Sequence, residues 1–236
     1  MQILTSDGVE FLLRWVHFLA GITWIGLLYY FNFVQGPFFA EADAATRSAA
    51  TQKLVPRALW WFRWGAMLTF LSGALIILKR FGEAPAGTSV ATSPWGVAIL
   101  TGALFGTLMF LNVWLVIWPK QKVVIANAVA TAGGAPANPA AAGAARRAFL
   151  TSRTNVVFSV PMLFFMGAAS HFAPRVSGNL PLYWTLILVL AALVEINALT
   201  GDKGATTRPL ETVRSVIISG FAFWAVIYAV VTTVLR

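Results

Sequence analysis

The chain has 236 residues, of which 58% are hydrophobic and 11% charged, and a mean hydropathy of +0.76; it carries more apolar surface than one soluble core of this length can bury. The formal charge of +9 is scattered over short segments between apolar runs rather than along one face, a pattern of membrane topology that argues against nucleic acid as a partner. With no cysteine, the sequence excludes disulfides, thiolate metal sites, iron–sulfur clusters and covalently attached c-type haem.

A membrane span takes about 20 apolar residues. The sequence supplies six such runs, at about residues 9–33, 59–78, 95–118, 154–172, 181–199 and 213–235. The expected fold is an all-α integral membrane protein, a single polytopic domain built as a bundle of about six transmembrane helices in the lipid bilayer. The first run contains Arg14 and His17 and lacks a small-residue cleavage site after a short core, so it reads as a retained helix rather than a signal peptide. Between the first two runs, residues 38–57 mix alanine with Glu41, Asp43, Arg47, Lys53 and Arg57, which predicts a surface amphipathic helix or a solvated connecting one. Pro94 opens the third run and Pro119 is expected to close it. Residues 132–145, AGGAPANPAAAGAA, read as a flexible linker. Pro174 follows the fourth run and Pro181 opens the fifth.

Counting Lys and Arg on the two sides of this arrangement gives twelve against five, the excess lying with the first, third and fifth loops. Those loops are therefore expected in the cytoplasm, with both termini on the opposite side.

The chain has two histidines, and the topology sends both toward the face that holds the termini. His17 lies ~5 Å below Arg14 along the first helix at 1.5 Å per residue. His171 closes the fourth run. Ionisable groups within spans are expensive, and two imidazoles on facing helices suit the axial positions of a haem iron. Gly21 and Gly167 lie four residues from these histidines, where a flat macrocycle needs clearance, and Arg14 and Arg175 are placed to hold propionates. The alternative is that small residues let helices approach closely and each imidazole bonds a neighbouring helix.

Toward the opposite face, Asn32, Arg63, Asn112, Asn155, Glu195 and Asn197 fall inside or at the ends of spans, where each needs a partner. Arg63 and Glu195 are expected at one level, either as an ion pair fixing the bundle or as part of a polar cavity. In such a cavity Arg63 would draw a planar acidic molecule, and the asparagines would bond its edges.

Five segments, RWVHFLAGITWIG, WWFRWGAMLTFLSG, FLNVWLVIWPKQKVV, SRTNVVFSVPMLFFMGAASHF and EINALTG, together resemble the membrane domain of bacterial membrane-bound urate oxidase (urate hydroxylase), over about residues 8–235. The resemblance implies a membrane oxidoreductase in the bacterial inner membrane, both termini periplasmic, that oxidises urate or a similar purine. Arg63, Glu195, Asn112, Asn155 and Asn197 would form its catalytic site. Electrons would pass through haem b held by His17 and His171 to a cytochrome c or another respiratory-chain component. In that family a cytochrome c domain commonly follows; no Cys-x-x-Cys-His occurs here, so a separate cytochrome is expected to replace it. A histidine followed by Trp–Gly in an early helix also resembles haem-binding membrane proteins of the protoporphyrinogen oxidase type. Two rival readings are a non-enzymatic haem-binding subunit of a respiratory complex and a small-anion transporter.

Overall fold

The computed structural model describes residues 2–236. Its long elements are α1 (Ser6–Glu41), α2 (Ala44–Lys53), α3 (Val55–Gly82), α4 (Pro94–Ala132), α5 (Ala140–His171), α6 (Leu180–Thr200) and α7 (Val213–Val234). All but α2 are long and apolar enough to cross a membrane. Short polar caps start them: Thr5 accepts from the Gly8 N–H, Ser93 from Gly96 and Asn179 from Leu182. Thr212 and Ser215 form a capping box at α7.

The helices alternate direction, so one end of the bundle holds both termini and the other collects most of the Lys and Arg. These are called the terminal end and the basic end below. Helix α5 is the central post: of residues 151–159 only Ser152 is not buried. It packs on α4, α6 and α7, while α1 pairs with α3. Glycine permits the closest approaches. A Cβ on Gly65 would lie 3.2 Å from the Trp24 backbone nitrogen of α1, and one on Gly102 would lie 3.1 Å from that of Met166 on α5. Phe11, Trp15, Phe18 and Ile22 of α1 are exposed, as expected of a lipid-facing stripe.

Two helices depart from regular α geometry in the same way. Tyr30–Gln35 in α1 and Asn112–Ile117 in α4 are π-helical, and each is followed at its second residue by a proline, Pro37 and Pro119. A proline inside a helix lacks the N–H and pushes its ring toward the carbonyl four residues back. The wider turn makes room for that ring and inserts one residue without ending the helix. Pro119 therefore does not close the third span: α4 runs on to Ala132, and α5 already begins at Ala140. The segment without helix is 133–139, shorter than the expected linker, because alanine-rich sequence favours helix where two strands of it can pack. The resulting hairpin continues the α4–α5 pair ~20 Å beyond the expected spans at the basic end. Helix α2 packs against α3 and the far part of α4.

Candidate functional site

Helices α1, α3, α4 and α5 enclose two cavities, one toward each end of the bundle. The first, toward the terminal end, has a volume of about 320 Å³ and is mostly apolar. His17 enters it from α1, half-buried, with Nδ1 3.2 Å from the Ser72 hydroxyl. Ser72 in turn donates to the Leu68 carbonyl at 2.6 Å, so the Ser72 proton is committed and His17 Nδ1 is best assigned as the donor, leaving Nε2 as a free lone pair. The opposite walls are small: Gly73, Ala74, Ala103 and Gly106. A Cβ on Gly73 would sit 2.9 Å from the imidazole Cε1, so glycine is what lets the ring lie there. Trp24 lines the same cavity and keeps its indole N–H buried without an acceptor. Met162 and Met166 complete the α5 wall.

His171 is not in this cavity. It is exposed at the last residue of α5, five residues or ~7 Å beyond Met166, and makes no hydrogen bond or ion pair among the described residues. Gly21 faces Thr69 and Gly167 has open space around it; neither lines the cavity. Arg14 bonds Glu10 at 2.6 Å, and Glu10 also takes Lys79 and Arg80. These groups border an open cleft at the terminal end with Glu83, whose carboxyl is held below its ordinary value by Lys79 and by the Ser6 hydroxyl. Arg175 lies in a different cleft, against Tyr228 and Arg236.

The polar residues toward the basic end separate into four groups, one of them Asn32 in the second cavity. Asn112, the first residue of the α4 π segment, donates from Nδ2 to Asn155 Oδ1 at 2.9 Å and to Glu195 Oε2 at 3.0 Å. Asn155 donates to the Met109 carbonyl in the turn before that segment. Glu195 has no cation within 4.0 Å among the described residues and its second oxygen makes no hydrogen bond. Arg63 is elsewhere: its guanidinium lies 4.0 Å from the Trp118 ring centre and 5.6 Å from that of Trp114, so the Arg63–Glu195 ion pair is not formed. Asn197 caps the turn after α6 by donating to the Thr206 carbonyl.

The second cavity, about 120 Å³, lies toward the basic end between the two π segments. Asn32, Gln35, Gln121 and Ser152 supply its polar lining, and Phe31, Phe62 and Phe149 its flat walls. Gln35 Oε1 is buried there with no donor. Asn32 Nδ2 donates to the Leu28 carbonyl and to Ser152 Oγ, both at 2.8 Å. Sequence reading singled out Asn32 but missed Gln35, Gln121 and Ser152. The available signal was an amide pair spaced three apart, Asn32 and Gln35, running into Gly36–Pro37 inside an apolar span.

Six helices long and apolar enough to span, with a histidine-lined cavity toward one end and an amide-lined one toward the other between the same four helices, define a polytopic membrane protein. Residues 84–232 match the family described as Urate oxidase N-terminal, and the chain belongs to that family. No curated protein and no solved structure gives a match.

Proposed function

We propose that this chain is the membrane part of a urate-oxidising oxidoreductase of the bacterial inner membrane, with the basic end in the cytoplasm and haem b held from His17. The observation that carries the reading is the His17 cavity in a member of a urate oxidase family: an imidazole with a free ring nitrogen, fixed through Ser72, facing a wall of glycine and alanine. If haem b binds there, His17 would hold its iron, the glycine and alanine wall would clear its flat face, and the orphaned Trp24 N–H would offer it a donor. His171 lies outside this cavity, so the bis-histidine arrangement is not assembled there. When bound, haem supplies one-electron redox chemistry.

The chain's own groups provide orientation and proton handling. Hydroxylating a purine with water releases two electrons and two protons. Glu195, bonded by one neutral amide and free of cations, is suited to take a proton on its open oxygen, and Asn112 holds it in place. The electrons leave at the terminal end, where a cytochrome c or another respiratory component collects them. Trp24 lines the His17 cavity and Phe31 the basic-end cavity, seven residues or ~10 Å apart along α1.

The test is a reduced-minus-oxidised visible spectrum of the purified chain after haem-replete expression. Haem bands are expected, and His17→Ala should remove them; an unchanged spectrum in that variant would refute the ligand. A second reading, a non-enzymatic haem-binding subunit, draws on the open cleft of paired charges at the terminal end, where Asp7, Glu10 and Glu83 stand among Arg14, Lys79 and Arg80 and another subunit would dock. Urate-dependent reduction of added cytochrome c by membranes separates the two: it occurs only if the chain takes part in catalysis.

A further inference from the structure

We infer that the basic-end cavity is the binding site for the planar heterocycle itself, recognised edge-on by the Gln35, Gln121 and Asn32 amides and face-on by phenyl rings. This rests on the purine reading above and moves the substrate away from Arg63.

Three observations carry it. The first is an unmet hydrogen-bond demand. Gln35 Oε1 is buried without a donor, and Gln121 makes no hydrogen bond among the described residues although it lines the same space. A buried acceptor left alone is unfavourable, so it calls for a ligand N–H or a trapped water. Urate and its purine relatives alternate N–H donors and carbonyl acceptors around a rigid ring, the complement of an amide-lined wall.

The second is shape. The cavity's 120 Å³ is the scale of one six-membered ring, enough to take the recognised edge of a fused bicycle and too little for a nucleotide. Phe31 and Phe62 meet edge-to-face at 5.5 Å, and Phe149 stands on the α5 side. Such rings accept a flat partner by offset stacking or edge contact.

The third is charge. The lining is neutral, yet the Phe149 ring is backed by two guanidiniums, Arg146 at 5.5 Å and Arg153 at 5.1 Å. Arg146 is paired with Glu211, but Arg153 is 4% exposed, with Nε and Nη1 unbonded and no carboxylate within 4.0 Å among the described residues. Glu211 acts on Arg153 only from beyond ion-pair distance, and a buried cation so partly offset, one ring away, biases the cavity toward an anion such as urate over a neutral purine. Ser152 of the cavity and Asn155 of the Glu195 network are three residues apart on α5, and the π segment runs from Asn112 of that network to Ile117 of the cavity wall.

The experiment is equilibrium binding of labelled urate to the full purified chain, with Gln35→Leu and Gln121→Leu variants whose melting temperature in detergent and haem content are checked first. Each variant is expected to bind urate roughly tenfold more weakly, the loss of one hydrogen bond. Gln35→Glu, which keeps the shape but adds a negative charge, should weaken it further. Unchanged affinity in both leucine variants, with the wild type binding urate, overturns the placement while leaving the urate oxidase reading intact. A wild type that binds no urate and reduces no cytochrome c with it overturns both. Water alone in the cavity would show as wild-type affinity in every variant.

Discussion

Asn112 is a single amide whose two donor hydrogens go to two different helices, Asn155 on α5 and Glu195 on α6. Removing it leaves both oxygens short of a donor inside a span, and the cost of an unmet buried group exceeds the worth of the bond itself. Asn112→Leu is therefore expected to destabilise the protein by about 1–3 kcal/mol, read as a lower melting temperature in detergent. Glu195→Gln, which keeps a carbonyl acceptor at that place, should cost less. An Asn112→Leu protein that melts like the wild type would show that the network is not a structural tie. The sequence announced these residues as polar groups in apolar runs, and three of the six are joined as such; it mispaired Arg63, because a helix register does not reveal that its guanidinium lies over the Trp118 and Trp114 rings instead of within 4.0 Å of the carboxylate.

At the scale of elements, the repeated device is a π segment followed two residues later by proline. The inserted residue turns everything beyond it by about 100° relative to a regular helix, which is what brings Gln121 round to the cavity wall on α4. Pro119→Ala restores the missing N–H and removes the steric need for the wide turn. Hydrogen exchange should then show a newly protected amide at residue 119, with urate affinity reduced because Gln121 rotates away. A variant that keeps wild-type affinity would mean that the wide turn is set by packing rather than by the proline. Proline was visible in the sequence, but the sequence rule that proline stops a helix gave the wrong end for α4, since neighbouring helices resatisfy the backbone inside a bundle.

Across the whole molecule, charge is divided by end. The basic end gathers the arginines and lysines around the amide cavity, while the terminal end neutralises its cations on Glu10 and Glu83. If the basic end faces the cytoplasm, an impermeant thiol reagent applied to intact cells should label a cysteine placed at Ser89 and not one at Ala137. The native chain has no cysteine, so the readout has no background. Labelling at Ala137 alone would invert the topology and put the purine cavity on the outside.

The sequence by itself determined the solvent, the number of spans and the identity of the polar groups committed to the interior, because hydrophobic length and the cost of burying polarity are local properties of the chain. Which of those groups meet was decided only by tertiary structure. His17 faces glycine and methionine walls rather than His171, and the amides of α1 and α4 converge because two inserted turns rotate them together. Azimuth around a helix within a bundle is set by packing against all its neighbours at once, and no window of sequence holds that information.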